Sequence, residues 1–189
     1  KSYSHGAVAA LLSVAHALDV PSVINKQIKS SRPYCAEKPV RNNLTSGITL
    51  LLGAVGRVCM PTSKRGWWDW AKTTTAEYLL RHSLSKIDSQ HFWDLMDALP
   101  EESIAEIERE LIEKTMKTYH LQSDTLFFDT TNLRCTVARR GKNKQKRYDL
   151  RQVGLAMVVT RNDMIPLFHH TYQGNLADAK VFSTVLETI

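Results

Sequence analysis

The stretch Thr125-Leu126-Phe127-Phe128-Asp129-Thr130-Thr131-Asn132 decides how this chain is read. Its residues are β-formers, apolar on both alternating faces, a pattern that suits a strand covered on both sides. One carboxylate, Asp129, lies inside it. A buried, unpaired charge is costly, and a bound metal ion is the usual compensation where a site does chemistry. The plainer reading makes Asp129 a polar residue at the strand's end, starting a turn with Thr131. The octet alone leaves both readings open.

The residues that follow favour the first reading. From Arg134 to Arg151 the chain is dense in Arg and Lys, with Asp149 as the only acid. Val153–Thr160, then Arg161-Asn162-Asp163, then Ile165–Tyr172 read as strand, turn and strand. Gly174-Asn175-Leu176-Ala177-Asp178 opens a helical pattern with Val181, Phe182, Val185 and Leu186 on one face. A strand bearing an acid, a basic loop, a hairpin and a helix, in that order, is the opening of an RNase H-like fold.

With these pieces in place the chain resembles the DDE transposases of bacterial insertion sequences, in the branch whose first motif reads Asp-Thr-Thr-Asn. The resemblance is carried by Phe128-Asp129-Thr130-Thr131-Asn132, Arg140-Gly141, Lys146-Arg147-Tyr148-Asp149-Leu150, Gln152-Val153-Gly154-Leu155-Ala156, Ile165-Pro166-Leu167 and Gly174-Asn175-Leu176-Ala177-Asp178. Upstream, Ala54 to Arg65 and Asp88-Ser89-Gln90-His91-Phe92-Trp93 belong to it too, so it runs from about Leu44 onward. Tyr148 and Gln173 stand where the family has proline. The larger departure is that the sequence stops at Ile189, before the family's second Asp and its Glu.

The resemblance implies that Asp129 is catalytic and a metal ligand, bridging two divalent cations, Mg²⁺ or Mn²⁺, in the complete enzyme. Such pairs clamp an in-line displacement at phosphorus. The implied partner is DNA, as transposon ends and target, with homo-oligomerisation left open and no membrane involved. With one carboxylate in hand, this chain alone is expected to be inactive. The alternative is a DNA-binding or interaction module without chemistry, in which Asp129 is a relic. Arg139, Arg140, Lys142, Lys144, Lys146, Arg147 and Arg151 form the expected phosphate-contacting group, although a basic run is often only a solvated loop.

The other acids have simpler roles. Asp178 caps the last helix, Asp163 sits in the hairpin turn, and Asp149 lies among positive neighbours. His169 and His170 point to opposite faces of one strand, so at most one shares a side with Asp129, and neither is assigned. Pro166 has no amide to donate to a ladder and puts its strand at a sheet edge. Asp129 is expected on the central strand, flanked by Val153–Thr160, with Ile165–Tyr172 outermost and both later strands antiparallel to their neighbours. Within this chain, the far edge of the first strand is expected to be open.

The rest of the chain reads as helices. Gly6–Leu18 is a buried helix ended by Pro21. A buried helix is expected there rather than a signal peptide, because His16 and Asp19 interrupt the apolar run and the sequence opens on Lys1 without an initiator Met. Leu44–Met60 is a core helix, packed closely at Gly53 and Gly56 and too short to span a membrane. Ser63 caps a helix with Trp67 and Trp70 on one face, for packing or, with Lys64, Arg65 and Lys72, for DNA. A short helix over Glu77–His82 comes next, then one capped by Ser89. The longest opens at Pro100-Glu101-Glu102 and ends with Lys114, Lys117 and His120, complementing the helix dipole.

The expected architecture is α+β, with a helical domain over residues 1–122 and a partial RNase H-like domain over 123–189. Net charge +6 points to an acidic partner. Three cysteines, Cys35, Cys59 and Cys135, lack metal-ligand spacing and suit a reducing cytoplasm.

Overall fold

A computed structural model describes residues 3–28, 44–63, 66–85, 87–122, 125–135, 151–173 and 176–188. The chain divides into two compact units, Lys1–Tyr119 and His120–Ile189.

The first unit is helical: α1 (Gly6–Ala17), α2 (Val20–Gln27), α3 (Ser46–Cys59), α4 (Trp67–Ala71), α5 (Ala76–Leu80), α6 (Ser89–Ala98) and α7 (Glu101–Tyr119). Its core gathers on α3, whose Leu51, Leu52 and Val55 pack with Val8 and Leu12 of α1 and with Trp67 and Trp68. Thr45 caps α3 by accepting the Ile48 amide at 3.3 Å. Gly53 and Gly56 admit the rings of Phe92 and Trp67, which a Cβ would meet at 2.5 and 2.8 Å. Exposed ion pairs link α7 to the neighbourhood of α2, Lys26–Glu110 at 2.6 Å and Lys114–Asp19 at 3.4 Å.

Several local expectations need correction here. Pro21 does not end α1; it lies in the first turn of α2, where a missing amide goes unnoticed. Ser63 does not cap α4 by its side chain; the residue before that helix is Gly66, whose amide donates to the Ser63 carbonyl at 3.0 Å. Trp67 packs in the core as expected and half-buried Trp70 packs against it, but the more deeply buried neighbour is Trp68, and both Trp67 and Trp68 meet Phe92 edge-on. These rings are core. Ser89 is the first residue of α6 rather than its cap. The short helix ends at Leu80, before His82.

The second unit holds β1 (Leu126–Cys135), β2 (Arg151–Thr160), β3 (Pro166–Gln173) and α8 (Asp178–Thr188). The strands form an antiparallel sheet in the order β1-β2-β3, which makes the protein α+β. Thr160, fully buried, closes the β2–β3 hairpin. Its amide donates to the Ile165 carbonyl and its hydroxyl accepts the Ile165 amide, each at 3.0 Å. Near Pro166 the register shifts, Val159 pairing with Pro166 and Val158 with Phe168. A proline with no amide to offer is a natural place for such an irregularity.

One face of the sheet is covered by α8. Ala156, Val158 and Tyr172 pack with Val181 and Val185, and Phe128 meets the Phe182 ring at 5.0 Å. Leu186, expected on the buried face, is 60% exposed. Among the described residues no single helix is long and apolar enough to cross a membrane.

Candidate functional site on the first strand

Asp129 lies in the middle of β1, paired with Met157 of β2, and the strand runs on to Cys135. It therefore does not start a turn. Register also fixes its face. Phe128 and Thr130 share a side with Val158 and Ala156, which pack on α8, so Asp129 and Phe127 point to the opposite side.

Two expectations about this strand fail. Asp129 was expected inside a strand covered on both faces, yet it is exposed, as are Leu126 at 38% and Phe127 at 43%. The apolar pattern is present, but α8 covers only one face of the sheet. The second failure is the strand's position. Asp129 was expected on the central strand, whereas β2 is the middle of the three and β1 pairs only with it. The expected open edge of β1 and the outermost place of β3 both stand among the described residues.

A carboxylate exposed in this way needs no metal to offset burial. Its Oδ1 accepts the amide of Thr130 at 2.8 Å, which occupies one lone pair without supplying a counter-charge. The row across the sheet is Asp129, Met157, His169, because Met157 pairs with both. His169 thus shares the face of Asp129, two strands away, or about 10 Å between Cα atoms. His170 is on the α8 face, where its ring stacks on Tyr172 at 6.3 Å. Alternation alone shows that the two histidines diverge. Choosing which one faces Asp129 requires the register, and the shift beside Pro166 hides it from the sequence.

The Mg²⁺ or Mn²⁺ implied by the resemblance finds an incomplete donor set. Among the described residues no three His, Cys, Asp or Glu side chains come together. Asp129 alone does not make a divalent-cation site, since such ions take several oxygen ligands. Asp163 lies in the hairpin turn as expected, whereas Asp178 is the first residue of α8 rather than its cap, an acid in the first turn preceded by Ala177. Of the basic group, Arg139, Arg140, Lys142, Lys144, Lys146 and Arg147 lie outside the described residues. Arg151 opens β2 opposite Cys135. Cys59 is a free, half-buried thiol on α3. No family model, curated protein or solved structure matches this chain.

Proposed function

We propose that the chain is part of a DDE-type DNA transposase, acting in the cytoplasm, whose second unit is the opening half of an RNase H-like domain. The observation that carries this reading is the place of Asp129. It stands mid-strand on the first strand of an antiparallel β1-β2-β3 sheet followed by a helix, and its side chain points away from that helix. A carboxylate so placed is accessible to a phosphate, and the Arg- and Lys-rich stretch between β1 and β2 supplies the charge to attract one. Asp129 contributes one ligand to a donor set that further carboxylates complete, and the basic segment holds DNA by its backbone without reading sequence.

The isolation of Asp129 among the described residues favours a second reading, a DNA-binding module with no chemistry. The reading frame beyond Ile189 separates the two. A strand-borne Asp followed by a helix-borne Glu supports the transposase, and a frame without them leaves the module.

DNA binding itself is tested by replacing Lys142, Lys144, Lys146 and Arg147 with Gln. Affinity for duplex DNA falls about equally for all sequences, and log K depends less steeply on log salt because fewer counterions are released. An unchanged salt slope in the folded variant means that the segment is merely solvated and removes the DNA-binding reading.

A further inference from the structure

The first unit contains an open groove of about 880 Å³ between the amino-terminal segment and α5. Its walls join two exposed rings to a set of basic groups. Tyr78 is 82% exposed and Tyr3 50%, and Lys72, Arg81 and His82 line the same groove.

Both walls are anchored. The Thr75 amide donates to the Ser4 carbonyl at 3.0 Å, the Ser4 amide donates to the Thr73 carbonyl at 3.3 Å, and a His5–Thr75 side-chain hydrogen bond of 2.8 Å adds to them. Tyr3 is thus carried on a segment tied to the loop that opens α5. On the other wall α5 ends with Arg81 in the left-handed region, φ 56°, while the His82 amide donates back to the Glu77 carbonyl at 3.2 Å. Glycine is the usual residue at such a helix end, so an arginine there is held at a conformational cost glycine would avoid. From this position Arg81 lines the groove.

Two carboxylates, Glu77 and Asp69, stand beside these cations. Glu77 turns its Oε2 to the Leu84 amide at 3.1 Å. Asp69 stands 3.9 Å from Lys72 Nζ, an exposed pair that leaves the ammonium free to bind elsewhere. Arg81 makes no ion pair among the described residues.

We infer that this groove binds single-stranded nucleic acid, with bases stacked on Tyr78 and Tyr3 and phosphates held by Lys72, Arg81 and His82. An acidic peptide would use the cations but has no need of two exposed ring faces. The inference does not depend on Asp129 or on the basic segment.

The test uses the full chain carrying the four Gln replacements at Lys142, Lys144, Lys146 and Arg147, so that the basic segment contributes little. Binding of a labelled oligothymidylate is followed by fluorescence anisotropy over a salt series. That chain binds, Tyr78→Ala weakens binding about tenfold, and Tyr78→Phe retains it, because stacking needs the ring and not the hydroxyl. Arg81→Gln lowers the slope of log K against log salt by about 0.7, the value for one phosphate of a single strand. Tyr78 is exposed, so its replacement leaves the fold intact, which circular dichroism checks. Absence of oligothymidylate binding overturns the proposal. So does equal affinity for the Ala and Phe variants, or polyglutamate binding that competes with the oligonucleotide and ignores Tyr78→Ala.

Discussion

The ring of Tyr172 fills the space that a side chain at Gly154 would need; the two residues pair across β2 and β3 on the face covered by α8. An alanine at Gly154 therefore pushes a buried ring into a packed core, where overpacking costs about 1–3 kcal/mol. Gly154→Ala should lower the urea midpoint by a corresponding amount. The Tyr172 hydroxyl is buried without a hydrogen-bond partner among the described residues. Tyr172→Phe removes that unpaired oxygen and keeps the ring, so it should be neutral or stabilising.

Gly56 offers a second close approach, in a helix. Alanine in a helix interior is normally about 1 kcal/mol better than glycine. At Gly56 the new Cβ would lie 2.8 Å from the buried Trp67 ring, which has no room to retreat. The clash outweighs the propensity gain, and Gly56→Ala should lower the melting temperature. A rise would show that the aromatic cluster is loosely packed.

Asp129 is exposed, so replacing it should hardly change stability, within about 0.5 kcal/mol for Asp129→Ala. One carboxylate does not hold two cations beside a phosphate, so this chain alone should bind Mg²⁺ and Mn²⁺ weakly and should not nick supercoiled DNA with Mn²⁺. Robust nicking that vanishes in Asp129→Ala would show a complete site, and Asp178, read only as a first-turn acid of α8, would be the first residue to reassign.

Asp19 links stability to pH. The Ser22 hydroxyl, 2.6 Å from its Oδ1, holds the carboxyl below its ordinary range; burial works against this, and Lys114 and then Lys26 add to the lowering. A carboxyl whose pKa is lowered by folding contributes stability that is present above its unfolded pKa. That contribution fades as pH falls through the lowered, folded value. Asp19→Asn should therefore be less stable at neutral pH and show a shallower loss of stability on acidification. Urea midpoints across the acid range test this, and parallel curves would remove Asp19 from the account.

Much of the second unit could be read in the chain because its signals are local. Arg161-Asn162-Asp163 between two apolar runs forces a hairpin, and Val181 and Val185 at helical spacing find the sheet. The exposure of Asp129 was beyond reach. Phe127 and Phe128 both look like core residues, and only the presence of α8 on a single side separates them. The groove between Tyr3 and Tyr78 was hidden for a related reason, since residues far apart in sequence meet there through backbone bonds from Ser4 to Thr73 and Thr75. Within the helical unit, Trp67 and Trp70 sit at helical spacing, but α4 is too short for spacing alone to rank Trp70 against Trp68.

The uneven connections of the sheet also bear on the order in which it assembles. β2 and β3 are joined by the tight turn after Thr160, whereas β1 reaches β2 only after the long excursion from Cys135 to Arg151. Closing a longer loop forfeits more chain entropy, and contacts distant in sequence form later for that reason. The β2–β3 hairpin should therefore form first, with α8 condensing on its Ala156–Val158 face, and β1 should dock last. In pulse-labelling hydrogen exchange, β2 amides bonded to β3 should gain protection before those bonded to β1. The strand that carries Asp129 would then be the last to find its place and the first to leave it.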